Sequence, residues 1–319
     1  MGLNGAMMFG IEFLPQDFKG DSSVLRAMCE GARKYLGQRV EYVILPLNPR
    51  KKPSVNALVG AQMLSGLEEF RDICFVPTLS GSGYAGAAGR EQIISQLLAF
   101  AYANFKTLAL IGGEGEGFSG VEMIALAREV LGEKPHIIGG SGSLVDFKSK
   151  ERLAQKLQVG ANQIITQPFF SAAEARIFLQ EFESIKRAGG YKAQVSLGVF
   201  GLFSLQSARA INEAHLGFEV PQEYIESMGG MECLESVLSG ADSQYAASME
   251  SMGVAGKNYP AKKTALNTQM SKSSTNAENV RNCYERLWQA MREVAREFGA
   301  SLYLSTPKHN DLRAYGVYI

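Results

Sequence analysis

The stretch Val159-Gly-Ala-Asn-Gln-Ile-Ile-Thr-Gln-Pro-Phe-Phe170 joins the end of a helix to a buried strand. Helical periodicity runs up to Leu157-Gln158 and breaks at Gly160, the residue type that most readily closes a helix. The β-branched Ile164 and Ile165 follow, suited to a pleated, enclosed strand. Polar Thr166 and Gln167 then stand where that strand is expected to stop. In a parallel α/β protein, ligands gather at the carboxyl ends of the strands. Thr166 and Gln167 are therefore placed to read a polar small molecule. Spacing alone leaves open a capped strand end whose amide is satisfied internally.

The same unit recurs outward in both directions. Strands are predicted at Phe9–Leu14, Tyr42–Leu45, Ile73–Val76, Thr107–Ile111, His136–Ile138, Gln163–Ile165, Val195–Val199 and Leu302–Leu304. Helices are predicted between them, from about Ser23 to Leu36, Val55 to Phe70, Ala87 to Asn104 and Gly120 to Leu131. Eight such repeats, with strands apolar on both faces, predict an α/β fold of the (β/α)8 TIM-barrel type. An open doubly wound sheet is the alternative. The rhythm changes only between Pro221 and Glu297, which reads as extra helices before the last strand, with Ser274-Thr-Asn-Ala-Glu278 as the cap of a final helix through Phe298. Residues 1–319 are expected to form one barrel domain.

At 319 residues and 46% apolar content the chain can bury a large core. Its formal net charge of zero gives no broad attraction to nucleic acid or to an anionic membrane. Cys29, Cys74, Cys233 and Cys283 are far apart with no CxxC pair, which favours a reducing compartment over a disulfide framework or zinc knuckle. No run approaches the length of a membrane span, and Ala6-Met-Met-Phe9 has no basic region before it. A cytoplasmic protein is expected. His136, His215 and His309 have no metal-ligand spacing, so no metal site is expected. The helices between Pro221 and Glu297 are the one foothold for a partner or for a homo-oligomer contact.

Glu12 lies inside the first strand between Ile11 and Phe13. A carboxylate among apolar neighbours is costly unless paired or protonated, and a raised pKa suits it to donate a proton near neutral pH. An outward-facing Glu paired with a helix residue is the plainer reading. Gly112-Gly-Glu-Gly-Glu-Gly117 and Gly139-Gly-Ser-Gly142 follow successive strands, where glycines let a backbone approach a ligand closely. The two carboxylates at Glu114 and Glu116 oppose a phosphate, and the pattern is neither a Walker loop nor a dinucleotide fingerprint. A flexible turn is as good a reading as a binding loop.

Taken together, Gly10-Ile-Glu-Phe-Leu-Pro15, Lys156-Leu-Gln-Val-Gly-Ala-Asn-Gln-Ile-Ile-Thr-Gln-Pro-Phe-Phe170, Gly198-Val-Phe-Gly201, Val220-Pro221 and Leu302-Tyr-Leu-Ser-Thr306 resemble, in order, segments of the methylenetetrahydrofolate reductase family. The resemblance implies folate and nicotinamide as small-molecule substrates, with FAD as the family cofactor and NAD(P)H as electron donor. It implies that Glu12 protonates the folate as methylene becomes methyl. Thr166, Gln167, Phe169 and Lys308 would face the folate. Lys156, Gly112, Gly113, Glu114 and Gly140 would face the cofactor.

The chain departs from the family at the flavin. Pro46 replaces a threonine, Thr78-Leu-Ser-Gly81 a His-x-Thr-Cys-like turn, and Ile111-Gly-Gly113 an Arg-Gly-Asp, with Glu114 adjacent. Gly139-Gly-Ser-Gly-Ser143 replaces a Tyr-Pro-x-x-His-Pro turn. Three outcomes are consistent with this pattern: a reductase passing hydride directly to folate, one holding flavin differently, or a folate-binding barrel with another one-carbon or non-redox task.

Overall fold

Eight short parallel strands pair in chain order, and the last returns to the first. They are β1 (Phe9–Glu12), β2 (Tyr42–Leu45), β3 (Cys74–Ser80), β4 (Thr107–Ile111), β5 (His136–Ser141), β6 (Gln163–Phe169), β7 (Gln194–Phe200) and β8 (Ser301–Ser305). The structure is a computed structural model and describes residues 8–47, 53–113, 117–202, 204–213, 218–229 and 269–305. Helices α1 (Phe18–Leu36), α2 (Ala57–Ser65), α3 (Gly86–Tyr102), α4 (Gly120–Leu131), α5 (Phe147–Gln158) and α6 (Ala172–Gly189) link the first seven strands. Between β7 and β8 lie α7 (Leu205–Glu213), α8 (Gln222–Gly229) and α9 (Gln269–Phe298). This is a (β/α)8 barrel with extra helices before its last strand. The pairing of Phe9 with Leu302 and of Ile11 with Leu304 closes it and rules out the open sheet.

Several boundaries move for identifiable reasons. Helix α1 starts at Phe18 rather than near Ser23, because Asp17 caps it by accepting from the Gly20 N–H. The stretch read as one helix from Val55 to Phe70 is α2, capped by Asn56, and then a 3-10 turn at Glu68–Phe70. Ser274 is no cap: α9 runs unbroken from Gln269, so extension of a long helix outweighs the local capping preference of one serine. Strand β5 continues through Gly139, where a Cβ would lie 3.2 Å from Ile124 Cδ1 and 3.4 Å from Ile164 Cδ1. Glycine there lets α4 sit close on the sheet. The rest of the Pro221–Glu297 region, residues 230–268, lies outside the described residues.

The core has two parts. The larger packs the outer strand faces against the helices, with Trp288 of α9 edge-on to Phe9 at 5.4 Å. The smaller fills the barrel lumen with Tyr42, Ile44, Val76, Ala109, Ile138, Ile165 and Tyr303. Registers around the barrel sort lumen residues into layers, those of odd strands alternating with those of even strands. Gly10, Val76, Ile138 and Ser196 form one odd layer, and Glu12, Thr78, Gly140 and Gly198 the next one towards the C-terminal mouth. Ile44, Ala109, Ile165 and Tyr303 lie between them. That upper layer positions the site.

Candidate functional site

Glu12 ends β1 facing the lumen, because its register partner Ile44 belongs to the lumen cluster. The outward-facing alternative is thereby excluded. Ser305, at the end of β8, donates its hydroxyl to Glu12 Oε2. Burial pushes the Glu12 carboxyl above its usual range, and the Ser305 hydrogen bond opposes part of that rise. Below it, burial also raises the phenols of Tyr42 and Tyr303, and the neighbouring Glu12 charge adds to both. The acid thus sits on a floor of neutral phenols and aliphatic side chains. Such surroundings favour a protonated carboxyl that can release its proton to a base of matching strength.

The two tyrosines hold this floor by crossing glycines. Tyr42 lies over Gly10, where a Cβ would be 2.1 Å from its ring, and donates to the Leu302 carbonyl at 3.3 Å. Tyr303 lies over Gly198, where a Cβ would be 3.0 Å from its hydroxyl, and donates to the Thr166 carbonyl at 2.5 Å. Each phenol therefore ties its strand to the next but one. Towards the N-terminal end, Gln163 donates to Ser196 at 2.6 Å and meets His136 at 3.0 Å, which makes that histidine part of the packing.

Thr166 and Gln167 do not end their strand. Ile165 pairs with Ser196 and Pro168 with Gly198, so the two residues together oppose Leu197 in a β-bulge. Thr166 is buried, and its hydroxyl donates to the Gln167 carbonyl at 2.8 Å and accepts from the Gly198 N–H at 3.0 Å. That hydroxyl replaces the ladder acceptor that the bulge removes. Thr166 is thereby a builder of the site. Gln167 is half-buried, with its carboxamide beside Gly142 in the loop after β5. Phe169 faces away from the lumen and packs against Phe178 of α6 at 5.5 Å.

Lys156, Gly112 and Gly140 gather beside the ends of β4 and β5. The Lys156 ammonium donates to the Gly140 carbonyl at 2.5 Å, and burial, with Arg152 nearby, lowers its pKa. Gly120 leaves room for that side chain, since a Cβ there would be 3.0 Å from Lys156 Cε. Gly112 and Gly113 have a packing reason: a Cβ on either would come within 2.5 Å of Gly120 N or Ser82 Cα. The Gly113 N–H donates to the Phe118 carbonyl, and Phe118 N–H to Gly81, zipping the loops after β3 and β4 together. The backbone donor at Gly113 is thus engaged within the chain, whereas the Lys156 ammonium spends one of its three N–H donors on Gly140. Glu114 and Lys308 lie outside the described residues.

The sequence reading missed Tyr42, Tyr303, Ser305 and Thr78 as neighbours of Glu12. The one available signal was glycine inside strands, at Gly10 and Gly198, where close approach by another group is the usual cause.

Fold and site together define a (β/α)8 barrel with a buried acid at its C-terminal mouth. The barrel is similar to that of an uncharacterised protein from Clostridium thermocellum that binds two copies of 5-methyl-5,6,7,8-tetrahydrofolic acid, with a TM-score of 0.59 and 10% identity over 98% of this chain and 93% of that one. At that identity the likeness establishes the fold alone. EDTA monooxygenase from Chelativorans sp. BNC1, at a TM-score of 0.47 and 12% identity over 98% of this chain and 93% of that one, is too distant to carry an argument. No protein-family model and no curated protein sequence matches the chain. Among the described residues no helix is long and apolar enough to cross a membrane, and no group of His, Cys, Asp or Glu could hold a metal ion.

Proposed function

We propose that this barrel binds a reduced folate at its C-terminal mouth and reduces its one-carbon unit from methylene to methyl, with NAD(P)H as the hydride source. The observation that carries this reading is the lumen-facing Glu12 carboxyl, whose pKa burial raises. A neutral acid is what the chemistry needs. Protonation of N10 of 5,10-methylenetetrahydrofolate by Glu12 breaks the bond from N10 to the methylene carbon and leaves a methylene iminium on N5. Hydride from the dihydronicotinamide adds to that carbon, giving 5-methyltetrahydrofolate and NAD(P)+, and Glu12 regains a proton from water. Gln167, on the bulge that Tyr303 and Thr166 hold, would hydrogen-bond the pterin; Lys308 would meet the folate tail. The similar fold of a protein that binds 5-methyltetrahydrofolic acid supports the choice of ligand.

A second reading is a folate-binding barrel without redox chemistry, favoured by the Gly113 N–H, a candidate cofactor contact that is engaged within the chain. Titration of 5-methyltetrahydrofolate into the purified protein, followed by NADH and NADPH oxidation with methylenetetrahydrofolate, separates the two. The reductase reading expects both binding and oxidation, without added FAD. It also expects Glu12→Gln to slow turnover by about 10²–10⁴-fold while still binding folate. Folate binding with no oxidation in any nucleotide leaves the second reading standing; no folate binding removes both.

A further inference from the structure

One polar group at the barrel mouth has no partner. Thr78 is 7% exposed, and its Oγ1 makes no hydrogen bond among the described residues. It faces the lumen, since it pairs with Ala109 of the lumen cluster and follows Val76 on the same strand face. Register places it in the layer of Glu12, whose other two members, Gly140 and Gly198, carry no side chain. The upper layer is therefore two polar side chains on one side and glycine backbone on the other, with the Tyr303 hydroxyl over Gly198 and Ile111 beside Gly140. Buried hydroxyls are ordinarily hydrogen-bonded, so an unpaired one aimed into a ligand site calls for a ligand atom. Among the described residues the other unpartnered buried polar atoms belong to Glu41, before β2, and to Trp288 and Arg292 of α9, away from the mouth.

We propose that Thr78 is a ligand-contacting, specificity-determining residue whose hydroxyl takes the edge of an uncharged planar amide or lactam. This rests on the folate reading above and deepens it. A hydroxyl can both donate and accept, which matches an edge carrying N–H and C=O side by side. A charged group would be desolvated against Ile44, Ala109 and Ile165 directly beneath. The pterin lactam and the nicotinamide carboxamide share this chemistry.

Calorimetric titration of 5-methyltetrahydrofolate and, separately, of NADH into the wild type, Thr78→Val and Thr78→Ser tests the assignment, with thermal melts of the three free proteins. Valine keeps the volume and removes the hydroxyl. It should weaken one of the two ligands about tenfold, and serine should stay within about threefold of the wild type. The ligand that responds identifies the source of the edge. Free Thr78→Val should melt no lower than the wild type, because no internal bond is lost. Wild-type affinity for both ligands in Thr78→Val, an equal loss in Thr78→Ser, or a markedly lower melting point of free Thr78→Val would each overturn the assignment. If the wild type binds folate but Thr78→Val changes nothing, Thr78 alone is removed; if the wild type binds neither ligand, the folate reading falls and Thr78 with it.

Discussion

Tyr303 donates its hydroxyl to the carbonyl of Thr166, 2.5 Å away, by passing over the bare backbone of Gly198. The contact joins β8, which carries Ser305 beside Glu12, to the bulge that carries Gln167. Tyr303→Phe leaves a buried carbonyl without this donor, which should cost about 1–2 kcal/mol in urea unfolding. It should also loosen folate binding through Gln167 rather than through Glu12. A variant as stable as the wild type would show that the phenol contributes packing only.

Gly10 and Tyr42 make the matching relationship on the other side of Glu12. A Cβ at Gly10 would lie 2.1 Å from Tyr42 Cε2 and 2.2 Å from Cζ. Gly10→Ala should therefore destabilise the barrel by roughly 3 kcal/mol, at the upper end of overpacking effects. The clash is with ring carbons, so adding Tyr42→Phe should give no relief, whereas Tyr42→Leu should recover part of the loss. Equal rescue by both would place the conflict elsewhere than at the ring.

How far these features were legible depends on their range along the chain. The barrel was legible because each strand–helix unit carries its own periodicity, and the closing pair β1–β8 follows from having eight of them. Glu12 was legible as a candidate from its place inside the first strand, but its lumen-facing side was settled only by the register with Ile44. The bulge at Thr166 was not legible, since it is defined by a count of residues opposite Leu197, on a different strand. The orphaned hydroxyl of Thr78 was illegible for the same reason: it is a property of a lumen layer assembled from four strands. The glycines after β4 looked like a ligand loop because close backbone approach reads alike whether the neighbour is a ligand or, as here, Ser82 and Gly120.

Arg128 pins the turn between α5 and β6. Its guanidinium donates to the Gly160 carbonyl at 2.6 and 3.1 Å, to Asn162 Oδ1 at 2.6 Å and to the Pro135 carbonyl at 3.0 Å. Asn162 Oδ1 in turn accepts from the Ile137 N–H at 2.8 Å, so the pin spans β5 and β6. Gly160 has φ +103°, and a Cβ there would be 2.7 Å from Arg128 Nε. Arg128→Met should cost about 3 kcal/mol, and Arg128→Lys should restore less than half, because one ammonium cannot replace a planar fork. Full rescue by lysine in chemical unfolding would reduce the role of Arg128 to its charge.

The raised pKa of Glu12 makes a signed prediction about stability. Below its ordinary value of 4.5 the carboxyl is protonated in both the folded and unfolded chain and contributes no difference. Between 4.5 and the raised folded value the folded state holds a proton that the unfolded state has released, so its stability falls as pH rises through that window. Above the window the folded protein carries a desolvated carboxylate at full cost. Glu12→Gln has no such titration. Its stability relative to the wild type should climb through the window and level off above it, a gain in folding at the expense of turnover. Ser305→Ala removes the hydroxyl that favours the charged form, and should extend the upper end of the window to higher pH. Urea unfolding of the three proteins from pH 4 to 9 reads both effects. A difference between Glu12→Gln and wild type that stays constant with pH would mean that the carboxyl is not raised, and would take the proton donor out of the proposed reduction.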